Sequence, residues 1–204
     1  RVIRKAFELS RKKGLGAPKD HKRRVTCVAK GNLLHGCQLF TKVFSEIASE
    51  YPDIEKESML VDSFAQSLIL EPERFDICVT TNMFGDIVTD LAAVLQGGMG
   101  MAVGCNLGER HGMFEPIHGS APTLASDTAN PVAMILASCE ALKWLWGKCQ
   151  DAKLLKMTEA IEAAVGALIQ EGRVLTADLI EESKASSTSK VGEEIRRLAE
   201  SRTV

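Results

Sequence analysis

With 204 residues, of which 45% are apolar and 25% charged, the chain has the size and balance of one ordinary globular domain or of parts of two small ones. Its formal net charge of −2 gives no electrostatic reason to expect a nucleic acid or a membrane surface as a partner. No apolar run approaches the roughly 20 residues that span a bilayer, so no membrane span is expected. Residues 1–13 have helical spacing but begin with Arg1 rather than Met and show no signal-peptide pattern, so we expect the native protein to begin earlier.

Strands and helices alternate along the first half of the chain. Residues 24–29 have strand composition, and residues 39–51 have the spacing of an amphipathic helix that Pro52 ends. The pattern continues with a strand at residues 57–61, a helix at 63–70, a strand at 75–80 and a helix at 87–95. This alternation predicts an α/β layer with parallel strands, in which ligands bind at the carboxyl ends of the strands.

The composition changes at the glycine-rich residues 96–108, which mark the predicted domain boundary. The first domain is thus residues 1–96 and the second residues 97–204. Two prolines and many small residues predict a long ordered loop over residues 112–127. Helices are predicted at residues 131–146, 154–171 and 191–201, with a polar segment at 180–189 that we expect to be mobile.

Six cysteines lie along the chain without a CxxC motif or the spacing of zinc ligands. Cys27 and Cys78 fall in strand-like apolar runs, where a cysteine usually acts as a small hydrophobic side chain. We therefore expect reduced, buried thiols in a reducing compartment. This corresponds to a cytoplasmic protein, or to the mitochondrial matrix if the source is a eukaryote.

Two carboxylates four residues apart are the first candidate site. Asp86 and Asp90 lie in a predicted helix, which places both side chains on one face. Such neighbours favour a cation between them, and oxygen-only ligands suit Mg²⁺ or Mn²⁺. The alternative is that one of them caps the helix while the other is solvated.

Asp62 and Lys30 are candidates because each follows a predicted strand. Asp62 is either a functional carboxylate at the mouth of the sheet or the N-cap of the next helix. Lys30 precedes Gly31 and is either a base beside a metal or a surface lysine.

The segment from His118 to Pro122 is a candidate for phosphate binding. Its small residues would let backbone N–H groups approach a ligand closely. It is not a GxGxxG fingerprint, and no strand precedes it in the Rossmann manner, so the usual dinucleotide motif is absent. Taken alone, His118 would more often be a structural histidine.

Taken together and in their order along the chain, the motifs resemble those of the isopropylmalate/isocitrate dehydrogenase family of metal-dependent decarboxylating dehydrogenases. Residues 82–90 (NMFGDIVTD) look like the family signature, and residues 115–122 with 129–131 look like its adenosine-binding loop. Residues 30–32 resemble its catalytic lysine motif, and residues 176–179 resemble a motif near its C-terminus.

The resemblance implies a two-domain α/β fold that is not a Rossmann fold, with the N-terminal part of the family fold missing from this chain. Residues 1–96 would be the later part of the small substrate-binding and dimerisation domain. Residues 97–204 would be the C-terminal half of the large cofactor-binding domain. A homodimer with shared active sites is also implied.

The roles of individual residues follow from the same resemblance. Asp86 and Asp90 would hold Mg²⁺ or Mn²⁺ together with Asp62 of the partner subunit. Lys30, also offered across the dimer, would help to remove the substrate hydroxyl proton, and Asn32 would approach the nicotinamide. The residues expected to bind the adenosine end of the cofactor are His118, Gly119, Ser120, Ala121, Pro122 and Asn130.

The implied activity is the NAD(P)-dependent oxidative decarboxylation of a small hydroxy acid, a 3-substituted malate of the 3-isopropylmalate or isocitrate type. Thr123-Leu124 stands where NAD-selective members have Asp and NADP-using bacterial isocitrate enzymes have Lys-Tyr. Because neither residue offers a cation for a 2′-phosphate, NAD is favoured. NADP is the alternative, if Lys184 or Lys190 supplies that charge.

Two other readings of the sequence stay open. The chain would be a regulatory subunit that binds ligand without turnover, or an inactive fragment of such an enzyme. Retention of Lys30, Asp62, Asp86 and Asp90 argues against the regulatory subunit, since a protein without chemistry has no need of all four.

Overall fold

A three-stranded parallel sheet organises the first part of the chain in the computed structural model, which describes residues 1–202. The elements are α1 (Val2–Lys13), β1 (Arg24–Ala29), α2 (His35–Ala48), β2 (Glu55–Leu60), α3 (Val61–Leu70), β3 (Ile77–Thr80) and α4 (Asn82–Leu95). The strand order is β2-β1-β3, and β1 pairs in parallel with both neighbours. The predicted α/β layer with parallel strands is therefore confirmed.

Burial follows from the central position of β1, whose six residues are all buried between helices. On one side Phe7 of α1 stacks on Phe44 and Tyr51, with ring centroids 5.6 and 4.8 Å away. A second cluster contains Phe64 and Val88, which anchor α3 and α4. These contacts fix the carboxyl ends of the strands, where the candidate residues lie.

Asp76, just before β3, is a buried carboxylate at the opposite end of the sheet. Its side chain is 0% exposed. It accepts hydrogen bonds from Ser10 Oγ at 2.7 Å, Lys13 Nζ at 2.8 Å and the Arg24 N–H at 3.3 Å. These bonds tie α1 to β1 and β3, and they satisfy a charge that would otherwise be costly to bury.

The second part of the chain contains an antiparallel hairpin and the helices that follow it. Its elements are β4 (Val103–Leu107), β5 (Gly112–Pro116), α5 (Val132–Cys149), α6 (Ala152–Glu171) and α7 (Thr188–Glu200). Helix α5 packs against the hairpin, and α6 packs against both α5 and α7. The core of this part joins α5, α6 and α7 through Val132, Val165, Leu168 and Ile195. The chain divides into two compact units, Arg1–Ala92 and the part from Ala93 onward.

The prediction of a loop from residue 112 onward is wrong for residues 112–116, which form β5. The backbone of β5 pairs with β4, and Phe114 packs edge-on against Trp144 of α5, with centroids 6.1 Å apart. The ring atoms of Phe114 lie 2.8 Å from the position of a Cβ at Gly112, so the glycine leaves room for the ring. Packing against a distant helix thus outweighs the weak local strand signal.

Three helices begin earlier than predicted: α2 at His35, α3 at Val61 and α4 at Asn82. Gly36 and Gly85 weaken the local helix signal in two of these segments. As a result, Asp62 lies in the first turn of a helix rather than at the end of a strand.

The predicted burial of the thiols is also wrong for Cys78, Cys105 and Cys149, which are exposed.

The expected mobile segment, residues 180–189, contains a 3₁₀ turn at Glu182–Lys184. The Ser186 N–H next to this turn donates to the carbonyl of Leu175 at 2.7 Å. Within residues 1–202, no helix has the length and apolar composition that crossing a membrane requires.

Candidate active site

Lys30 and Asp62 form an ion pair at the carboxyl end of the sheet. In the parallel register Ala29 lies opposite Leu60, so the residues that follow β1 and β2 leave the sheet at the same edge. The Lys30 ammonium donates to Asp62 Oδ1 at 2.7 Å. Lys30 is 25% exposed and Asp62 is 60% exposed. The pair therefore faces solvent at the edge where the topology predicts chemistry.

The Lys30 contact also determines the electrostatics of Asp62. Its hydrogen bond holds the pKa of the Asp62 carboxyl below the usual range. The cap of α3 is Leu60 and makes no side-chain hydrogen bond, so the alternative role of Asp62 as an N-cap is not observed. Asn32 is exposed in the turn that follows Lys30. In this turn the N–H groups of Leu33 and Leu34 donate hydrogen bonds to the Lys30 carbonyl.

Asp86 and Asp90 are exposed, one turn apart, on α4. Because the helix begins at Asn82, neither carboxylate is at the N-cap, and the alternative in which one caps the helix is wrong. Asn82 Nδ2 donates to Asp86 Oδ2 at 3.1 Å, and Val88 buries the opposite face of the helix. Gly85 brings this turn close to the end of β3, since a Cβ there would lie 3.3 Å from a methyl of Thr80.

The three predicted metal ligands do not converge within one chain. Among residues 1–202, no group of three or more His, Cys, Asp and Glu side chains is placed to hold a metal ion. Asp86 and Asp90 nevertheless supply two carboxylates of the type that Mg²⁺ and Mn²⁺ prefer. The contribution of Asp62 from a partner subunit stays a prediction.

Residues 117–130 connect β5 to α5 and include the predicted cofactor loop. The strand before this loop, β5, belongs to an antiparallel hairpin, and no helix begins directly after residues 118–122, so the arrangement is not that of a Rossmann motif, as predicted. His118, Gly119 and Ser120 are exposed, and the Leu124 N–H donates to the carbonyl of Ala121 at 3.0 Å. The loop is therefore open to a ligand.

The side chain of Asn130 is occupied by the protein itself. Its Nδ2 donates to Asp178 Oδ2 at 2.9 Å, while its Oδ1 accepts from the Val132 N–H at 3.0 Å. Thr176 Oγ1 donates to the other carboxylate oxygen of Asp178 at 2.5 Å. A Cβ at Gly100 would lie 2.8 Å from Asp178 Oδ2 and 2.9 Å from Asn130 Cβ, so only glycine fits there.

Two residues that hold the loop were not identified as candidates from the sequence. Asp178 lies in the motif at residues 176–179, and that motif is the sequence signal that could have identified it. Its partner Asn130 is 48 positions away, so the sequence does not indicate the bond itself. Asp127 bonds to Ser189, 62 positions away, and no local pattern marks either residue.

Comparison with known proteins supports the family assignment that the motifs indicate. Residues 1–195 match the family model described as isocitrate/isopropylmalate dehydrogenase. The 3-isopropylmalate dehydrogenase of Thermotoga maritima is 40% identical over 195 residues, which is 95% of this chain and 51% of that protein. The NADP isocitrate dehydrogenase of Thermus thermophilus is 36% identical over 197 residues, 96% of this chain and 37% of that protein.

Solved structures show the same relationship. The crystal structure of isocitrate dehydrogenase from Methylococcus capsulatus matches with a TM-score of 0.84 at 38% identity, covering 97% of this chain and 54% of that one. This chain thus spans about half the length of the curated 3-isopropylmalate dehydrogenases that it matches. The extent of the family match, the identities and the shared fold together show that the chain belongs to the isocitrate/isopropylmalate dehydrogenase family.

Proposed function

We propose that this chain is part of an enzyme that oxidises and decarboxylates a 3-substituted malate of the 3-isopropylmalate or isocitrate type. The observation that carries the proposal is the Lys30–Asp62 ion pair, exposed at the carboxyl edge of a parallel sheet. In this family, such an edge is the expected place for the reacting groups.

Lys30 and Asp62 are suited to handle the proton of the substrate hydroxyl. Lys30 Nζ would accept that proton after passing its own ammonium proton to solvent. The Asp62 carboxylate, 2.7 Å from Nζ, would stabilise the ammonium that forms. The same hydrogen bond from Lys30 lowers the pKa of the Asp62 carboxyl.

Asp86 and Asp90 would hold the divalent cation, Mg²⁺ or Mn²⁺, with Asp62 of the partner subunit. When bound there, the metal supplies a Lewis acid to the 2-hydroxyl group and the adjacent carboxylate of the substrate. The two exposed carboxylates of α4 repel each other across one helical turn, and a cation between them removes that repulsion. Val88 packs into the core on the opposite side of the helix, so Asp86 and Asp90 both lie on its exposed face.

NAD is the proposed oxidant and accepts the hydride at its nicotinamide ring. The exposed loop from His118 to Pro122 would bind its adenosine end, and Asn32 would approach the nicotinamide. Thr123 and Leu124 carry no charge, and the ammonium of Lys184 already pairs with Glu181 at 2.7 Å. A 2′-phosphate would therefore lack a cation in this loop, which favours NAD over NADP.

The test of shared active sites is complementation between two inactive variants of the complete enzyme. Lys30→Ala and Asp86→Ala are each expected to be inactive. After subunit exchange, one site of each mixed dimer keeps both Lys30 and Asp86, so activity should return toward a quarter of the wild-type rate, since about half of the dimers are mixed.

Asp86→Ala mixed with Asp90→Ala is the matched control. Both residues lie on α4, so each site of the mixed dimer still lacks one of them and activity should stay absent. Mixtures of Lys30→Ala and Asp86→Ala that remain as inactive as their parents, despite measured subunit exchange, would contradict the shared site.

A further inference from the structure

The first turn of α7 has its own N-cap, Ser187, and receives further acceptors from a residue in a different part of the chain. Asp127 Oδ1 accepts hydrogen bonds from the Ser189 N–H at 2.8 Å and from Ser189 Oγ at 2.7 Å. The backbone carbonyl of Asp127 accepts the Thr188 N–H at 2.9 Å. These N–H groups belong to the first residues of the helix and have no partner within it. Asp127 thus supplies two acceptors that α7 cannot supply to itself.

The backbone at Asp127 is held in a conformation that a side chain rarely adopts. Its φ is 61°, in the left-handed region, which residues other than glycine adopt infrequently, although aspartate does so more often than most. Such strain persists where surrounding contacts fix it. Here the contacts are those to Thr188 and Ser189, with a further bond from Thr188 Oγ1 to the carbonyl of Ala129 at 2.5 Å.

These contacts form one of the anchors of the candidate cofactor loop, in addition to the bond between Asn130 and Asp178. Within the described chain, the hydrogen bonds of residues 118–126 stay close to the loop, such as Leu124 N–H to Ala121 and Thr128 Oγ1 to Ala125. The anchor before the loop is the bond from the Ile117 N–H to the carbonyl of Ala102 at 3.3 Å. Directly after it, Asp127 forms the next anchor through its bonds to the first turn of α7.

We propose that Asp127 is a positioning residue for the cofactor, because its capping of α7 holds the far end of residues 118–126 in place. The inference rests on the proposed function, in which these residues bind the adenosine end of NAD. A loop fixed at both ends is ordered before the ligand arrives, whereas a loop released at one end must be ordered during binding at the expense of affinity. Asp127 itself need not touch the nucleotide.

The charge of Asp127 strengthens the same contact. The two bonds from Ser189 lower the pKa of the Asp127 carboxyl. A carboxylate at the N-terminus of a helix is also favoured by the helix dipole. An amide in its place would keep an acceptor oxygen and lose the charge.

The test compares Asp127→Ala with Asp151→Ala, both measured as calorimetric affinity for NAD and as amide hydrogen exchange without nucleotide. Asp151 is a matched control because its carboxylate caps α6 in the same unit, accepting the Lys153 N–H at 3.0 Å, without any bond to the loop. Asp127→Ala is expected to raise the Kd for NAD about tenfold, the size of effect that loss of one good cap gives. Exchange should rise in residues 118–130 and in the first turn of α7.

Asp151→Ala should raise exchange at the start of α6 and leave the Kd for NAD unchanged. Asp127→Asn should fall between Asp127→Ala and the wild type, and it also serves if the alanine variant does not fold. Ser189→Ala combined with Asp127→Ala should bind NAD no more weakly than Asp127→Ala alone, because both remove the same contact.

Two outcomes separate the inference from the function on which it rests. Wild-type affinity for NAD in both Asp127 variants overturns the positioning role and leaves the proposed function standing. A wild-type enzyme that shows no affinity for either NAD or NADP overturns the proposed function, and the positioning role fails with it.

Discussion

The two units of the chain hold their candidate residues in different ways. In the first unit Lys30, Asp62 and Asp86 lie on or directly after regular strands and helices. In the second unit His118 to Pro122 lie in irregular backbone, fixed through Asp127. Topology alone therefore places the first set, while the second depends on side-chain bonds between segments distant in sequence.

The aspartates of the two units differ in how far their oxygens are already used. Asp86 and Asp90 are exposed, and Asp86 accepts one bond from a neighbouring side chain. Asp127 and Asp178 each accept bonds from two or more donors within the protein. The oxygens of Asp86 and Asp90 are therefore available to a ligand, whereas those of Asp127 and Asp178 form hydrogen bonds that hold the fold together.

Asp86→Asn tests whether the exposed carboxylates of the first unit bind a metal, and it has the largest expected effect on kcat. We expect kcat to fall by about 10³-fold or more, because a metal-binding carboxylate is lost where charge develops. Circular dichroism should be unchanged, since the side chain is exposed on α4. Asp151→Asn, at another exposed aspartate, is the control and should leave kcat unaltered. Near-normal kcat in Asp86→Asn, or full activity in excess EDTA, would remove the metal from the proposal.

The cofactor preference tests the loop of the second unit. We expect kcat/KM with NAD to exceed that with NADP by about tenfold or more, because burial of a 2′-phosphate without a cation is unfavourable. Lys190→Ala, in the first turn of α7, should leave this ratio unchanged. A preference for NADP that disappears in Lys190→Ala would show that α7 supplies the missing charge.

Asp76 tests whether the two ends of the parallel sheet have separate roles. Asp76→Ala should lower the free energy of unfolding by about 2 kcal/mol, because it leaves Ser10 and the Arg24 N–H without their buried acceptor. Urea denaturation measures this. Asp53→Ala, which removes exposed ion pairs of α1 and Arg23, should have a much smaller effect. The Kd for NAD should be the same in both variants, and a change in Asp76→Ala alone would argue against the separation.

The smallest expected effect is the pH dependence of the Asp127 contact. Because the pKa of Asp127 is lower in the folded chain than in the unfolded one, its contribution is fully present above the unfolded value of about 4. It is lost as the pH falls through the lowered folded value. Exchange at the Ser189 amide, corrected for intrinsic rates, should therefore rise below pH about 4. Asp127→Asn should lack this step, and an identical profile in both proteins would refute the assignment.

The parallel sheet and the Lys30–Asp62 contact could be predicted from the sequence because both depend on local alternation and strand order. Lys30 and Asp62 follow two neighbouring parallel strands, so they lie at the same edge of the sheet even though α3 begins earlier than predicted. The hairpin β4–β5 could not be predicted, since Gly104, Gly112 and Pro116 give little strand signal and the packing of Phe114 against Trp144 joins positions distant in sequence. Sequence periodicity does not report such a contact.

The exposure of Cys78 and the Asp127 cap escaped prediction for a related reason. An apolar run indicates a strand, but only the strand order shows that β3 lies at the edge of this sheet. The bond between Asp127 and Ser189 joins two polar segments, and polar segments carry no pattern that identifies their partners. Both features depend on which distant segments come together.

Gly100 has a consequence for how the family can change over evolutionary time. A side chain at this position would collide with Asp178 Oδ2 and with Asn130 Cβ. Any lineage that replaces Gly100 must therefore alter residue 130 or residue 178 in the same step, or shift the backbone between them. We expect the three positions to covary across homologous sequences, with non-glycine residues at position 100 accompanied by smaller or differently placed side chains at the other two.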